Sequence, residues 1–433
     1  MKTILEDYDI YPKIFRTRRK GRIHIKPMGA HAEFSGSISY RVAIVPMHEI
    51  HNNEPEHPYP SCTFSLENGI IRVDYTFGGE GQYTLLINYS DKDFWGTPQD
   101  HELNIRLYAV DEDLFALRPY RGDMHCHTIR SDGREGPAIV AANYRKAGFD
   151  FLSITDHGQY EPSIEAINAF KDVPIDFRLF PGEEVHPPQN NSHYVHFAGV
   201  SSVNALFRAD PEKYHAEVNA IKEKLNLPEF INAAEYASAL WVIEQIHKAG
   251  GMAIMAHPCW IQDNAYHIKE SMYSYMLDTF PFDALELSCG QSREENQMQI
   301  SFWQQKRADG HSVNIVGSSD SHGTVNSTWF NLSKMVILAE SCDKDPLIAG
   351  VKSGRTVVLE QYAGEELPRL YGIHRYVSYV LFLLDEYFPL HDALCHEEGR
   401  LMRDHACGDR AAKDILGFIQ GRCAALQKKC WGE

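Results

Sequence analysis

Short apolar runs that end in turns recur through the middle of the chain. Each run is followed at once by polar residues, and helical patterns such as residues 137–147 and 239–249 lie between the runs. Strands that alternate with helices in this way predict parallel βαβ units. The runs cover residues 151–155, 179–182, 194–200, 252–256 and 313–317.

The residues on either side of this region follow other patterns. Between residues 30 and 110, apolar and polar positions alternate in several short stretches, and Asn68-Gly69 separates two of them. Asn-Gly in that position is a strong hairpin signal, so this part predicts an antiparallel β-sandwich of immunoglobulin-like kind. After about residue 369 the apolar positions have helical spacing, which predicts two or three helices.

These changes of pattern predict three parts in a chain of 433 residues, a length that suggests two or three domains. We expect a β-sandwich over residues 1–118, an α/β region over residues 119–368 and a helical extension over residues 369–433.

The polar residues at the ends of the apolar runs are types that bind metal ions. His125 and His127 are two apart, so both imidazoles point to one face of a strand, and Asp132 follows in the next loop. Imidazoles with a carboxylate are typical ligands of a divalent transition metal. The later runs supply Asp156, His157, Glu183, Glu184, His257, Asp320 and His322, and His196 lies within its own run. Because the carboxyl ends of parallel barrel strands gather the catalytic groups, we expect one common site.

Most of the 22 histidines have simpler interpretations. His48, His51, His57 and His101 lie in polar N-terminal segments and are interpreted as ordinary surface residues. His24 lies beside a basic run from residue 16 to residue 26, which is interpreted as a solvated strand and turn.

In combination, these motifs resemble those of the polymerase and histidinol phosphatase (PHP) superfamily. The resemblance runs from about residue 121 to residue 323 and continues through the last barrel elements to about residue 359. It implies an α/β fold, a distorted seven-stranded TIM-like (β/α) barrel that holds two or three divalent metals. The motifs are His-x-His with Ser-Asp-Gly, Ile-Thr-Asp-His, Pro-Gly-x-Glu, a histidine before a short apolar strand, Ala-His-Pro and Ser-Asp-x-His.

Carried over position by position, the resemblance implies nine metal ligands. They are His125, His127, Asp132, His157, Glu184, His196, His257, Asp320 and His322. Glu183 is an alternative to Glu184, and Asp156 is expected to orient a ligand or a loop. The groups expected to act in catalysis are Asp132, Asp156, His257 and Asp320.

The residues directly before the first motif indicate one branch of this superfamily. Residues 118–123, preceded by a β-rich region, are similar to the branch of carbamate-hydrolysing metalloenzymes of the CehA/McbA type. Members of that branch need not act on phosphate.

The ligand set predicts hydrolysis by water that is activated at two or three Mn, Zn or Fe ions. The expected substrate is a small phosphate ester; the alternatives are a carbamate, ester or amide, or a binding module without catalysis. A Ser-His-Asp arrangement around Ser319 would leave the other histidines unexplained. Arg130, Arg134, His193 and Trp260 are the candidate substrate residues.

Composition adds limits on partners and location. A net charge of −17 argues against binding of long nucleic acids, whose phosphates require a basic surface. The first residues are polar and no apolar run could span a bilayer, so we expect a cytoplasmic protein that does not bind membranes. Nine cysteines without a Cys-x-x-Cys pair suit reduced thiols. The oligomeric state is left open.

Overall fold

The computed structural model describes residues 7–29, 33–48, 59, 61–92 and 95–433. The chain is a mixed α/β protein with several sheets, and it divides into two compact units. The first unit contains Met1–Arg118, Ser378–Leu394 and Gly421–Glu433, and the second contains Pro119–Val377 and Cys395–Gln420. Two of the N-terminal histidines discussed above, His51 and His57, lie outside the described residues.

The leading segment of the first unit is built from strands. Its elements are β1 (Tyr8–Tyr11), β2 (Ile14–Arg16), β3 (Lys20–Pro27), β4 (Tyr40–Pro46), β5 (Phe64–Glu67), β6 (Ile70–Thr76), β7 (Gly81–Lys92), β8 (Pro98–Val110) and the short helix α1 (Glu112–Phe115).

These strands form two four-stranded sheets, ordered β1-β3-β6-β5 and β2-β8-β7-β4. One hydrophobic core takes buried side chains from both sheets, for example Ile23 and Ile71 from the first and Leu85 and Ile105 from the second. In β3, β6 and β7, alternate residues of the strand lie in that core, as the alternating pattern of the sequence predicts. Asn68 and Gly69 form the two-residue turn between β5 and β6, both with positive φ (54° and 71°), which confirms the predicted hairpin.

Strands and helices alternate through most of the remaining chain. The strands are β9 (Arg118–Asp123), β10 (Phe151–Ser153), β11 (Arg178–Phe180), β12 (Gly182–Val185), β13 (Tyr194–Phe197), β14 (Met252–Met255), β15 (Ile261–Gln262), β16 (Ala265–Tyr266), β17 (Ala284–Ser288), β18 (Ile315–Gly317), β19 (Ser333–Ala339), β20 (Thr356–Glu360) and β21 (Arg369–Gly372). The helices are α2 (Pro137–Lys146), α3 (Glu161–Ala169), α4 (Asn204–Ala209), α5 (Pro211–Lys222), α6 (Ala233–Lys248), α7 (Glu270–Thr279), α8 (Arg293–Ala308), α9 (Lys344–Lys352), α10 (His374–Glu386), α11 (Phe388–Ala406), α12 (Arg410–Ile419) and α13 (Arg422–Trp431).

The sheets of the second unit are ordered β11-β10-β9-β19-β20-β21 and β12-β13-β14-β17-β18. The predicted parallel pairing is present between β9, β10 and β11 and between β14, β17 and β18. Strand β13 differs, because it runs antiparallel to both β12 and β14. Its first residue, Tyr194, therefore pairs with Met255 at the carboxyl end of β14. The beginning of β13, rather than its end, lies at the edge where its neighbours end.

Four helices begin at residue 374 or later in the described chain, and their residues are divided between the two units. The helical extension over residues 369–433 as a separate part stays a prediction. In the second unit, the buried side chain of Arg145 on α2 donates hydrogen bonds to Glu398 on α11 at 2.6 and 2.9 Å. In the described part of the chain, no helix has the length and apolar character needed to cross a membrane.

The Arg145–Glu398 pair generates a prediction about stability. Glu398→Ala leaves the guanidinium of Arg145 buried without this carboxylate, and we expect a loss of about 3 kcal/mol in the free energy of unfolding. Asp404→Ala breaks the exposed Arg400–Asp404 pair of the same helix and is expected to cost about 0.5 kcal/mol or less. Chemical denaturation of both variants measures the difference. Equal losses would contradict a structural role for the buried pair.

Candidate metal centre

The site is organised around the carboxylate of Glu184, which is fully buried in β12. Six imidazole nitrogens lie within 3.8 Å of its two oxygens. Around Oε2 the distances are 2.5 Å to His157 Nδ1, 3.0 Å to His186 Nε2, 3.7 Å to His125 Nε2 and 3.8 Å to His127 Nε2. Around Oε1 they are 3.0 Å to His257 Nε2 and 3.1 Å to His193 Nδ1.

The strand order explains why these side chains meet. His125 and His127 follow β9, His157 follows β10 and His257 follows β14, each beyond the carboxyl end of its strand. His193 precedes β13, whose reversed direction brings its beginning to the same edge.

Asp320 is a second carboxylate at the centre. Its Oδ1 lies 2.9 Å from His127 Nε2 and 3.3 Å from His125 Nε2. Burial raises the pKa of Asp320 and of Glu184, but the surrounding imidazoles outweigh it and hold both pKa values below their usual range. Both groups are therefore carboxylates at neutral pH, the form that binds a cation.

Asp132 lies on the open side of the site, with its side chain 56% exposed. Its Oδ2 is 3.4 Å from His157 Nε2 and 3.3 Å from His322 Nε2. Asp132, His127, His157 and His322 form one group with metal-ligand spacing. A second group contains His125, His127 and Asp320. Further groups are His125, Glu184 and His257, and His157, Glu184 and His186.

Buried polar atoms at the centre support the fit of divalent cations. His125 Nε2, His127 Nδ1, Glu184 Oε2 and His193 Nδ1 are buried without a hydrogen bond of acceptable geometry in the described part of the chain. The approach of His125 Nε2 to Glu184 Oε2, at 3.7 Å, is a contact between two ligand-type atoms rather than a satisfied hydrogen bond. Buried polar groups are normally paired, and metal ions bound among these atoms would satisfy them. Imidazole and carboxylate donors suit Mn, Zn or Fe.

Two further buried carboxylates hold the ligands in place. Glu286 Oε1 lies 2.9 Å from His125 Nδ1, and its Oε2 accepts a hydrogen bond from the backbone N–H of His257 at 2.9 Å. Asp123 accepts hydrogen bonds from the backbone N–H groups of His125 and Ser319, and burial raises the pKa of Asp123 to about 6. A carboxylate that contacts the second nitrogen of a ligand histidine fixes the orientation of its ring.

Sequence reasoning missed Glu286. A signal was available, because Glu286 is the one acidic residue within the buried apolar strand β17, Ala-Leu-Glu-Leu-Ser. An ionisable group in such a strand requires a partner, and here the partner is a ligand histidine.

His196, which the resemblance implies as a ligand, contacts Glu183. Adjacent residues of a strand point to opposite faces, so Glu184 faces the cluster and Glu183 faces away. His196 is the register partner of Glu183, and its Nδ1 lies 3.4 Å from Glu183 Oε1. Glu183 also accepts hydrogen bonds from Ser202, the backbone of Val203 and Asn204 at the start of α4. The histidine that contacts Glu184 from this segment is His193.

The contacts of Asp156 and Ser319 bear on the roles considered for them in the sequence. Asp156 accepts hydrogen bonds from the backbone and hydroxyl groups of Thr128 and Ser131, at 2.6 to 3.1 Å. It therefore orders the loop that carries Asp132, in line with the orienting role expected of it, and its catalytic role stays a prediction. The hydroxyl of Ser319 is fully buried and lies 2.6 Å from the hydroxyl of Tyr144, so it is not placed to act as a nucleophile.

An open cleft of about 710 Å³ lies over the cluster. It is lined by Asp132, His157, His186, His193, His257, Trp260, Gln262, His267, Gly290, Gln291, Ser292, Glu295, Asp320, His322 and Trp329. None of these lining residues is an arginine or a lysine. Among the candidate substrate residues, Trp260 and His193 line the cleft. Arg130 instead pairs with Glu165 at 2.8 Å, and Arg134 lies against Gly323.

Backbone strain marks two of the ligand positions. His257 has a φ of 28° and Asp320 a φ of 46°, in the left-handed region that non-glycine residues rarely adopt. Such strain persists only where the surrounding structure enforces it. The backbone N–H of His257 is held by Glu286, and that of Asp320 donates to the carbonyl oxygen of His125 at 2.8 Å.

No family model matches this chain. A 5'-3' exoribonuclease of Haemophilus influenzae is 23% identical over 273 residues, covering 51% of this chain and 95% of that protein.

Three solved structures resemble the chain at low sequence identity. A two-domain protein of Bacteroides vulgatus, described as containing a predicted PHP-like metal-dependent phosphoesterase, is 12% identical with a TM-score of 0.40, and 56% of this chain matches 65% of that one. A protein of Bifidobacterium adolescentis with a proposed metal-dependent phosphoesterase activity is 20% identical with a TM-score of 0.33, covering 47% of this chain and 88% of that one. An amidohydrolase of Chromobacterium violaceum is 17% identical with a TM-score of 0.30, covering 47% and 87%.

One of these three descriptions names a PHP-like phosphoesterase. These three descriptions do not concern the CehA/McbA branch, which stays a prediction.

The sequence resemblance implies His196 as a ligand, whereas the structure places His193 against Glu184, and two substitutions test this difference. His193→Ala removes a side chain that contacts Glu184, and we expect the affinity for Zn²⁺ to fall by at least about tenfold, the lower bound seen for outer-sphere changes. His196→Ala should keep the affinity of the parent and lower only the melting temperature, because His196 is buried against Glu183. Competition with a fluorescent zinc chelator and thermal melts separate the two effects. Loss of zinc binding in His196→Ala alone would restore the set of ligands predicted from the sequence.

Proposed function

We propose that the protein is a metal-dependent hydrolase that cleaves a small phosphate ester. The single observation that carries the proposal is the buried carboxylate of Glu184 facing six imidazole nitrogens within 3.8 Å. A stability role alone does not account for this arrangement, because it leaves buried polar atoms unsatisfied.

We further propose two or three ions at this centre. The overlapping ligand groups support this number, since they share Glu184, His125, His127 and His157. Bound divalent ions would supply Lewis-acid activation of water and of the scissile group at neutral pH. The proposed fold is the distorted (β/α) barrel for the second unit and the immunoglobulin-like β-sandwich for the leading strands of the first.

The remaining residues of the cleft suggest how the chain itself treats a substrate. Trp260 and His267 pack with ring centroids 4.8 Å apart, and Gln262 holds the His267 ring through a contact of 2.9 Å. Trp329 lies beside His322 with a centroid distance of 5.6 Å. These rings offer planar, mostly apolar surfaces that orient the non-reacting part of a substrate and exclude water from it.

Phosphate-ester cleavage is supported by the curated relative, whose named activity is that of a 5'-3' exoribonuclease. Its low identity and its match to half of this chain leave the substrate itself as a proposal. A cytoplasmic location also stays a proposal, and nine cysteines without a Cys-x-x-Cys pair suit a reducing compartment.

The lining of the cleft favours a second candidate, a carbamate, ester or amide hydrolase. A phosphoester carries negative charge that cationic side chains often neutralise, and no arginine or lysine is among the lining residues. In the phosphoesterase that we propose, bound metal ions would supply this neutralisation in place of a lysine or arginine of the cleft.

A substrate panel separates the two candidates. Manganese-loaded protein is assayed with a phosphomonoester, a phosphodiester and an aryl carbamate, and we expect turnover of a phosphate ester with competitive inhibition by inorganic phosphate. Asp320→Ala should reduce this turnover to background, while His101→Ala, a substitution in β8 of the first unit, should match the parent. Carbamate turnover without inhibition by phosphate would replace the first candidate by the second.

A further inference from the structure

A groove in the first unit is lined by several lysine and arginine side chains, and the proposed reaction gives them no role. It has a volume of about 660 Å³, and 16 residues line it. Six of these are lysine or arginine and one is acidic. The cationic residues are Arg16, Arg19, Lys20, Arg22, Lys428 and Lys429. We call this feature the basic groove.

The basic groove stands out against the rest of the chain. The net charge of the whole protein is −17, and no lysine or arginine is among the lining residues of the cleft over the metal centre. Residues 13–26, by contrast, contain seven lysines and arginines and no acidic residue. The structure places much of this run along β2, β3 and the turn between them.

The cationic side chains reach solvent. Arg19, Lys20 and Arg22 are 60%, 69% and 59% exposed, so their charges are accessible to a ligand. From the sequence, the basic run from residue 16 to residue 26 is interpreted as a solvated strand and turn. That interpretation describes its conformation but does not explain why so many positive charges lie together.

Carboxylates in the first unit compensate only part of this charge. Asp74 is shared by Lys20, at 3.0 Å, and Arg22, at 2.6 Å. Glu112 is likewise shared by Arg16 and Arg19, at 3.6 and 3.2 Å. Each of these acids therefore orders two cations and neutralises one charge, which leaves a net positive and preorganised surface.

On the other side of the basic groove, helix α13 contributes Lys428 and Lys429. Lys429 contacts Asp9 at 2.6 Å, and Lys428 has no carboxylate partner among the residues that the structure describes. The acidic lining residue, Glu433, is paired with Arg118 at 2.7 Å. Positive charge thus lies on both walls.

We propose that the basic groove binds the phosphodiester backbone of a single-stranded RNA. Guanidinium groups are suited to phosphate, since their planar forks can pair with two phosphate oxygens at once. A nucleic-acid strand carries one negative charge per nucleotide, and it releases condensed counterions when cationic side chains bind it. An acidic peptide would offer these side chains only further carboxylates, and most of them already contact one. The surface is concave, and none of its lining residues is among the large apolar side chains exposed on the protein, which disfavours a membrane as the partner.

The proposal adds a second binding site to the proposed hydrolase, and only the choice of RNA over another phosphodiester rests on that function and on the exoribonuclease relative that supports it. Net charge predicts no binding of long nucleic acids, and the basic groove is a local exception to that prediction. Because its lining residues all belong to the first unit, binding there can be measured independently of catalysis.

The test measures binding of a fluorescent 12-nucleotide 2'-O-methyl phosphorothioate RNA, which resists hydrolysis, to the metal-loaded full chain by anisotropy. The triple variant Arg19→Ala, Lys20→Ala, Arg22→Ala is expected to weaken binding at least about tenfold. We expect the slope of log K against log salt to become less negative by roughly 2, near 0.7 for each lost contact. The matched control is the triple variant Lys213→Ala, Lys222→Ala, Lys224→Ala, which removes three exposed lysines of the second unit. Hydrolysis of a small phosphate ester by the triple variant should equal that of the parent.

Several outcomes would overturn the proposal. Parent-like RNA binding in the triple variant would do so, as would binding that is insensitive to salt. Tighter binding of vesicles with 30% phosphatidylserine, or of a poly-glutamate peptide, at about the same ionic strength as the RNA assay would assign the surface to another partner. Failure of the proposed hydrolase would leave the anisotropy result unchanged, so the two proposals can fail separately.

Discussion

The strand arrangement of the second unit has to bring partners to one buried carboxylate, that of Glu184. Glu184 is removed from solvent, and a buried charge of this kind is costly unless it is paired. Its partners are six imidazoles that come from five separate segments of the chain. Strands β9, β10, β12 and β14 have to end at one edge, and β13 has to begin there, for these contacts to exist. The strand order, the left-handed conformations of His257 and Asp320 and the buried Glu286 all serve that convergence.

Patterns within a few residues of each other made some features of the metal centre and of the first unit predictable from the sequence. The spacing of His125 and His127, and the position of His157 and His257 directly after apolar runs, follow from strand periodicity. Asn68-Gly69 specified its hairpin because both residues tolerate positive φ. In each case the signal lies within a few residues of the structure that it predicts.

The features that escaped prediction depend on contacts between distant segments. Whether His193 or His196 joins the cluster depends on the direction of β13, and a single run of residues does not reveal that direction. The role of Glu286 depends on His125, 161 residues earlier in the chain. Trp329 also lines the cleft and was not predicted to do so, although it lies in the same loop as Asp320 and His322.

The central claim is that Glu184 holds divalent ions together with the histidines around it. Elemental analysis of the purified protein, after dialysis against Mn²⁺ or Zn²⁺ and removal of excess metal, tests this claim most directly. The account predicts about two or three ions per chain, as expected of a site built from several adjacent ligand groups, and a clear loss of bound metal in Glu184→Gln. A parent protein that stays free of metal, or a Glu184→Gln variant that retains the full complement, would contradict it.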